Sequence, residues 1–262
     1  MPYLSVKGTK TFYLCTSGKS GNFLPVVLIH GAGGSSQRWS GQFSNWQNQE
    51  TLFAVDLPGH GNSEGALLKD IGSMAEFIAD FAQALALETF ILGGHSMGGA
   101  VAQEFTLRYP EKVKGLILIG TGARLRVAQS ILDALAAGKM PFKDVNHLYG
   151  SATPDEQKAG EMKELEKISP EVFWADFHAC NEFDRVGDAE KIQVPSLILV
   201  GDEDVMTPVK YAQFLASKLP GADLKVIGSA GHMCMEEKAA EVAEEIRSFL
   251  NQFRISASGA NV

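Results

Sequence analysis

Gly94-His95-Ser96-Met97-Gly98 is the segment of this chain best suited to do chemistry. An apolar run, Phe90-Ile91-Leu92, precedes it, and a helix-patterned stretch from Met97 to Tyr109 follows it and stops before Pro110. A serine between a strand and a helix, with Gly94 and Gly98 on either side, fits a turn too crowded for a flanking Cβ. Such a turn lifts the hydroxyl clear of the sheet. It also aims the N-terminus of the next helix, with its partial positive charge, at the reacting centre. The chemistry on offer is nucleophilic attack by a hydroxyl, which requires a base to take its proton and an acid to orient that base. Six histidines compete for the first role: His30, His60, His95, His147, His178 and His232. Three carboxylates stand together at the end of an apolar run, in Gly201-Asp202-Glu203-Asp204.

The elements that must position these groups are legible from hydrophobic patterning. In the runs 26–29, 52–55, 90–92, 116–119 and 197–200 nearly every position is apolar, as in parallel strands covered on both faces. Residues 224–227 read as a further, less buried strand, and 3–6 with 11–15 as a leading antiparallel pair. Ser73-Met74-Ala75-Glu76 has the spacing of a capping box, after which Met74, Phe77, Ile78, Phe81 and Leu85 share one helical face. Thr207-Pro208 sets a capping hydroxyl before a proline, opening a helix expected to end near Pro220-Gly221. The last helix is expected to bury Val242, Ile246, Phe249, Leu250 and Phe253, ahead of a small polar, frayed tail from Ser256. Alternating strands and helices predict an α/β fold with a mostly parallel sheet. From Thr121 to Lys191 the alternation stops, and helix-like pieces appear at 127–137, 155–167 and 170–180. This predicts a helical insertion. Its aromatics Phe142, Tyr149, Phe173, Trp174 and Phe177 have no sheet of their own, so some are expected to face the main domain.

Composition narrows the function classes. A chain of 262 residues suits one α/β domain with a small inserted subdomain, and 45% apolar with 21% charged residues is ordinary for a globular protein. A net charge of -8 argues against nucleic acid or an anionic membrane as partner. The N-terminus lacks a charged start followed by an apolar run, and no run approaches the ~20 apolar residues of a membrane helix, so a cytoplasmic protein is expected. Cys15, Cys180 and Cys234 are odd in number and widely spaced, which predicts free buried thiols rather than disulfides or a zinc site.

From His30-Gly31 to His232 the chain resembles the α/β-hydrolases, in particular serine-nucleophile, esterase-like and lactonase-like members with a helical cap after the sixth strand. The segments Asp56-Leu57-Pro58-Gly59-His60-Gly61-Asn62-Ser63 and Gly94-His95-Ser96-Met97-Gly98-Gly99 carry that resemblance. It implies an α/β-hydrolase fold, a mostly parallel central sheet flanked by helices. Residues 1–122 and 189–262 would form the core domain and residues 123–188 the cap. It implies the chain order serine, acid, histidine. Ser96 is then the nucleophile, and His232, in the loop Ser229-Ala230-Gly231-His232 beyond the last strand, is the base. His147 and His178 also follow Ser96, but His178 lies in the inserted helices. The family pattern G-x-x-D-x-x-x-P is matched by Gly201, Asp204 and Pro208, which favours Asp204 over Asp202 as the acid. Asp202 then reads as a loop carboxylate bonding nearby amides. By the same resemblance the backbone N–H groups of Ala32 and Met97 receive the oxyanion, and His30 braces the loop from His30 to Gly34. His60 and His95 read as structural, with the His95 ring turned away from the serine.

The residue at the elbow narrows the chemistry further. Haloalkane dehalogenases and epoxide hydrolases of this fold use aspartate there, and this chain has Ser96. The leading expectation is hydrolysis of a carboxylic ester through an acyl-enzyme, acting on a small-molecule ester or related carbonyl substrate. Trp39, Met206 and Met233 are expected to line an apolar pocket with Met97 and the cap aromatics, plain core packing being the competing reading for each. Arg124 and Arg126 offer to hold a substrate carboxylate, against the reading of a solvated surface. An enol-lactonase or carbon–carbon bond hydrolase of an aromatic-degradation pathway is the alternative chemistry. A non-catalytic ligand-binding descendant is the alternative of another class, and the survival of serine, acid and histidine together speaks against it. No dinucleotide fingerprint with its acidic partner is present. No cofactor, metal, nucleic acid or membrane partner is expected, and the oligomeric state stays open.

Overall fold

The computed structural model describes residues 3–16, 23–46 and 51–254; the tail from Ser256 lies outside them. The strands are β1 (Tyr3–Val6), β2 (Thr9–Thr16), β3 (Val26–Ile29), β4 (Leu52–Val55), β5 (Phe90–His95), β6 (Val113–Ile119), β7 (Ser196–Gly201) and β8 (Asp223–Ile227). Among the described residues they form one sheet in the order β1-β2-β4-β3-β5-β6-β7-β8. β1 pairs antiparallel with β2, and β2 antiparallel with β4. All later neighbours are parallel. Every residue of β3, β5 and β7 is buried, which is why these segments are apolar at nearly every position. β8 lies at the sheet edge and leaves Val226 exposed.

The helices are α1 (Ser40–Asn45), α2 (Ile71–Ala84), α3 (Met97–Arg108), α4 (Gln129–Ala136), α5 (Asp155–Leu165), α6 (Pro170–Glu182), α7 (Val209–Lys218), α8 (Cys234–Glu237) and α9 (Ala239–Leu250). Strand side chains alternate between two cores, as a pleated sheet requires. Val27, Ile29, Leu92 and Leu118 pack with Phe81 of α2, Phe105 of α3 and Leu215 of α7. Val26, Leu28, Ile91 and Ile117 pack with Trp39, Trp46 and the α9 residues Val242, Ile246 and Phe249.

Three local expectations are corrected. α2 starts at Ile71, not after Ser73. Asp70 caps it, taking the Ser73 N–H at 2.7 Å and the Ser73 hydroxyl at 2.6 Å, so an aspartate upstream already fills the role read into Ser73. α7 is entered through Pro208 with no side-chain cap, because the Thr207 hydroxyl turns instead to Asp204 at 2.8 Å. Cys15 is exposed, whereas Cys180 and Cys234 are buried thiols whose pKa burial pushes up.

Between β6 and β7 the described chain carries α4, α5, α6 and short 3-10 turns, with a single β-bridge between Arg124 and Asp184. Carboxylates join this insertion to the rest. Glu161 of α5 holds both terminal nitrogens of Arg38 at 2.5 Å. Glu203 takes the Ser151 amide at 2.6 Å and its hydroxyl at 3.0 Å. Glu237 takes the amide of Gly150 at 2.7 Å and that of Gly231 at 2.8 Å. Among the described residues no helix is long and apolar enough to cross a membrane.

Candidate active site

Ser96 joins β5 to α3 with φ 52° and ψ -115°, a conformation that costs a non-glycine residue roughly 1–3 kcal/mol. The surroundings force it. A Cβ on Gly94 would lie 2.1 Å from the Gly98 carbonyl oxygen, and one on Gly98 would lie 2.3 Å from the Ile29 carbonyl oxygen. The serine backbone is fixed on both sides: its N–H donates to the Ile119 carbonyl at 2.9 Å, and the Thr121 hydroxyl donates to its carbonyl at 2.8 Å.

Of the three clustered acids, Asp204 is the one hydrogen-bonded to His232. His232 Nδ1 lies 2.9 Å from Asp204 Oδ2. The same carboxylate accepts the Thr207 hydroxyl at 2.8 Å and the amides of Met206 at 2.9 Å and Thr207 at 2.8 Å. Burial works against the charge on Asp204. His232 and the Thr207 donors outweigh it and hold the carboxyl below the usual carboxylate range. An ionised Asp204 accepts from Nδ1–H, so the tautomer inferred from this network leaves the Nε2 lone pair free. Asp202 accepts the Ala230 amide at 3.3 Å, and Glu203 is occupied by Ser151. Ser96 and His232 line one cleft, and neither Ser96 Oγ nor His232 Nε2 has a hydrogen-bond partner among the described residues.

The loop carrying His232 is pinned from Ala230 to Met233. Gly231 donates to Glu237, and the Met233 amide donates to the Leu148 carbonyl at 3.0 Å. His95 Nε2 lies 3.0 Å from the His232 carbonyl, with the two rings 4.7 Å apart. Burial, and then the nearby His232, press the His95 pKa well below its ordinary value, so the ring is neutral and Nε2–H donates. His95 therefore does not turn away from the site; it packs against the candidate base. Nothing local in the sequence marks this contact.

The Ala32 and Met97 amides have no acceptor among the described residues. Met97 is the first residue of α3, and its side chain is fully buried in the core rather than in the cleft wall. His30 braces the other loop as expected. Its Nε2 accepts the Leu57 amide at 3.2 Å, so Nδ1–H donates to the Gly31 carbonyl at 2.9 Å. Burial, helped by the neighbouring His60, pushes its pKa down to about 3.

The cleft is walled by Phe142, Leu148, Phe173 and Phe177 of the insertion and by Met206 and Met233. Trp39 is not part of that wall; it is fully buried in the core on the α9 side of the sheet. Tyr149 is buried and reaches Glu236, while Trp174 stacks on His178. His147 joins the wall and stacks on Phe142. Arg124 and Arg126 both pair with Asp184, outside the cleft. Among the described residues no three His, Cys, Asp or Glu converge as metal ligands.

A mostly parallel sheet flanked by helices, with a serine elbow after β5 and a histidine–aspartate pair after β8 and β7, is an α/β-hydrolase fold. The family described as Hydrolase_4, serine aminopeptidase S33, matches residues 24–239, and the chain belongs to it. Carboxylesterase YbfK of Bacillus subtilis (strain 168) is 28% identical over 273 residues, covering 95% of this chain and 86% of that protein. A solved structure of a thermophilic esterase is 32% identical with a TM-score of 0.82, covering 96% of this chain and 97% of its own. The enol-lactonase from Burkholderia xenovorans LB400 superposes with a TM-score of 0.86 over 95% of this chain and 100% of its own. At 21% identity that is a likeness of fold.

Proposed function

We propose that this protein is a cofactor-independent serine hydrolase that cleaves carboxylic esters, with Ser96 as nucleophile, His232 as base and Asp204 as orienting acid. The observation that carries the reading is the 2.9 Å contact between His232 Nδ1 and an Asp204 carboxylate held ionised, in one cleft with a strained Ser96. His232 Nε2 takes the hydroxyl proton as Ser96 Oγ bonds to the ester carbon. The oxyanion forms against the amides of Ala32 and Met97, each donor contributing about 3 kcal/mol to the barrier. The tetrahedral centre collapses, the alkoxide leaves with the proton from His232, and water repeats the sequence on the acyl-enzyme. In this reading residues 123–188 act as a cap, and Met206 and Met233 form part of the substrate wall.

The cleft offers a substrate no unpaired Lys or Arg among the described residues. Among the described residues lining the cleft, Arg38 is the one Lys or Arg, and both its terminal nitrogens are taken by Glu161, with Glu236 3.3 Å away. This supports a neutral ester over a carboxylate-bearing enol lactone or dienol acid. The relatives named as carboxylesterase and esterase point the same way. A cytoplasmic setting belongs to the same reading, in keeping with three unpaired thiols. A fluorophosphonate probe should label the wild type and fail to label Ser96→Ala. p-Nitrophenyl esters should be turned over faster than an enol lactone or a dienol ketone acid. An unlabelled wild type sinks the serine mechanism, and a strong preference for the latter two compounds sinks the ester assignment.

A further inference from the structure

Asp176, on α6 of the insertion, is fully buried. Its Oδ2 accepts the Gly33 N–H at 2.7 Å and lies 2.9 Å from His60 Nε2. Gly33 follows Ala32, whose amide the proposed function assigns to the oxyanion. One turn earlier on α6, Phe173 packs so closely that a Cβ on Gly33 would lie 2.3 Å from its ring. Gly33 itself has φ +63°, the left-handed region that glycine enters freely and a side chain would resist, so both the backbone and the Phe173 contact call for glycine here.

The peptide geometry says what these contacts control. A trans peptide sets the N–H of one residue opposite the carbonyl of the residue before it. The Ala32 N–H therefore points away from the Gly31 carbonyl oxygen, which is held by His30 Nδ1 at 2.9 Å and by the Gly34 amide at 3.0 Å. The next peptide, Ala32 to Gly33, is held through the Gly33 N–H by Asp176. Both planes that meet at the Ala32 Cα are thus fixed, one from the core and one from the insertion. The two anchors touch: the His30 and His60 rings lie 4.9 Å apart.

The choice of a carboxylate needs a reason. Burying one is costly, and an apolar residue of similar size would hold α6 against these loops as well or better. Asp176 Oδ1 has no partner among the described residues, so the charge is kept for what Oδ2 does. Burial opposes a charge on His60, yet Asp176 more than offsets this and raises its pKa, which makes His60 the donor in the pair.

We propose that Asp176 is a positioning residue for the oxyanion hole, fixing the Ala32–Gly33 peptide through the Gly33 N–H so that the insertion completes the site as well as covering it. The proposal rests on the reading of Ala32 as an oxyanion donor. The test is Asp176→Leu, near in size and without an acceptor, beside Asp176→Ala and Asp176→Asn. Activity on p-nitrophenyl acetate is scored per site titrated with a phosphonate, so unfolded protein does not count. Asp176→Leu and Asp176→Ala should lose roughly 10- to 100-fold in kcat with KM within about twofold. The affinity for a trifluoromethyl ketone, which forms the oxyanion on binding, should fall in parallel. Asp176→Asn keeps a weaker, neutral acceptor and should lose about 3- to 10-fold. Full kcat per site in Asp176→Leu, or a loss confined to KM, overturns the proposal. If neither Leu nor Ala variant folds, Asp176→Asn decides, and an unchanged kcat there overturns it. Ser96→Ala separates the two levels: if it is active, the proposed function fails and this reading with it. If it is inactive beside a fully active Asp176→Leu, this reading fails alone.

Discussion

The serine elbow and the seam between insertion and core are both rigid, but different forces hold them. At the elbow the constraint is backbone against backbone: Gly94 and Gly98 sit where any Cβ would meet a carbonyl oxygen within 2.1 to 2.3 Å. No charge is involved. At the seam the constraint is ionic or charge-assisted: Glu161 on Arg38, Asp176 on Gly33 and His60, Glu203 on Ser151, Glu237 on Gly150. Steric constraint is indifferent to pH and cannot be relaxed by small motions. Charge pairs are strong only when both partners are present and correctly ionised. The proposed nucleophile is therefore built on the part of the molecule least able to change, and the cleft wall of the insertion on the part most open to adjustment.

The largest expected effect tests the steric half. Gly98→Ala puts a methyl 2.3 Å from the Ile29 carbonyl oxygen, so α3 or β3 must move and Ser96 with it. kcat should fall by roughly a thousandfold or more, since displacements near 1 Å already cost about a hundredfold. Phosphonate titration and urea unfolding measure it. Near-normal activity would show that the elbow tolerates what the comparison says it cannot.

Next comes the seam. Glu161→Gln leaves the guanidinium of Arg38 largely buried with Glu236 as its remaining carboxylate. Breaking such a pair costs about 3–5 kcal/mol, whereas Arg38→Met with Glu161→Leu should be close to neutral. Urea unfolding of the single and double variants measures both. Equal losses in each would mean that packing, and not charge, holds the seam.

A smaller effect separates the halves by pH. Burial holds His30 neutral, with its pKa down to about 3, and His95 is likewise held well below its ordinary value. Their folded values lie below the unfolded one, so the unfolded chain binds more protons in acid. Stability is then fully present above about pH 6.5 and falls as the pH drops toward the folded values. His30 alone should remove about 2 kcal/mol by pH 5. His60, raised by Asp176 against its burial, acts in the opposite sense and offsets part of this. Asp204, held low, contributes to acid sensitivity below the ordinary carboxylate range. Urea midpoints should drop between pH 7 and pH 5, with a shallower slope in His30→Asn. A flat profile in the wild type would sink the claim that these rings are buried neutral.

The same contrast explains what was legible in the sequence. The elbow could be read because its requirement is local: two glycines around a serine, a strand before and a helix after. β3, β5 and β7 could be read because both their faces are buried. The seam could not. Arg38 and Glu161 are 123 positions apart, His95 and the His232 carbonyl 137, Gly33 and Asp176 143, and no periodicity connects them. Trp39 shows the limit for packing. Its type admits a pocket wall as well as plain core packing, and it closes a short 3-10 turn, Ser36–Trp39, directed into the core. Ser73 and Thr207 show the limit for hydroxyls. Each had the right type and spacing for a cap, and each was drawn to an aspartate three residues upstream.

Thr207 gives the smallest and most selective test, because it lies where the two kinds of constraint meet. Its hydroxyl donates to Asp204 Oδ2, the oxygen that also receives His232 Nδ1, while two amides hold Oδ1. Thr207→Val keeps the shape of the side chain and both amide bonds but removes the one donor besides His232 on the oxygen that faces the imidazole. A hydrogen bond to a charged acceptor of this kind contributes about 1.5–3 kcal/mol at most to stability, and less where the remaining donors can tighten. The carboxyl pKa should move up toward its ordinary range, since the Thr207 donors are part of what holds it down. kcat/KM on a p-nitrophenyl ester should fall by roughly three- to tenfold, about 1 kcal/mol of transition-state stabilisation. A loss beyond a hundredfold would place the hydroxyl in the proton transfer itself. No loss would mean that the backbone amides orient Asp204 unaided, and that Asp204, like Ser96, is held by the main chain.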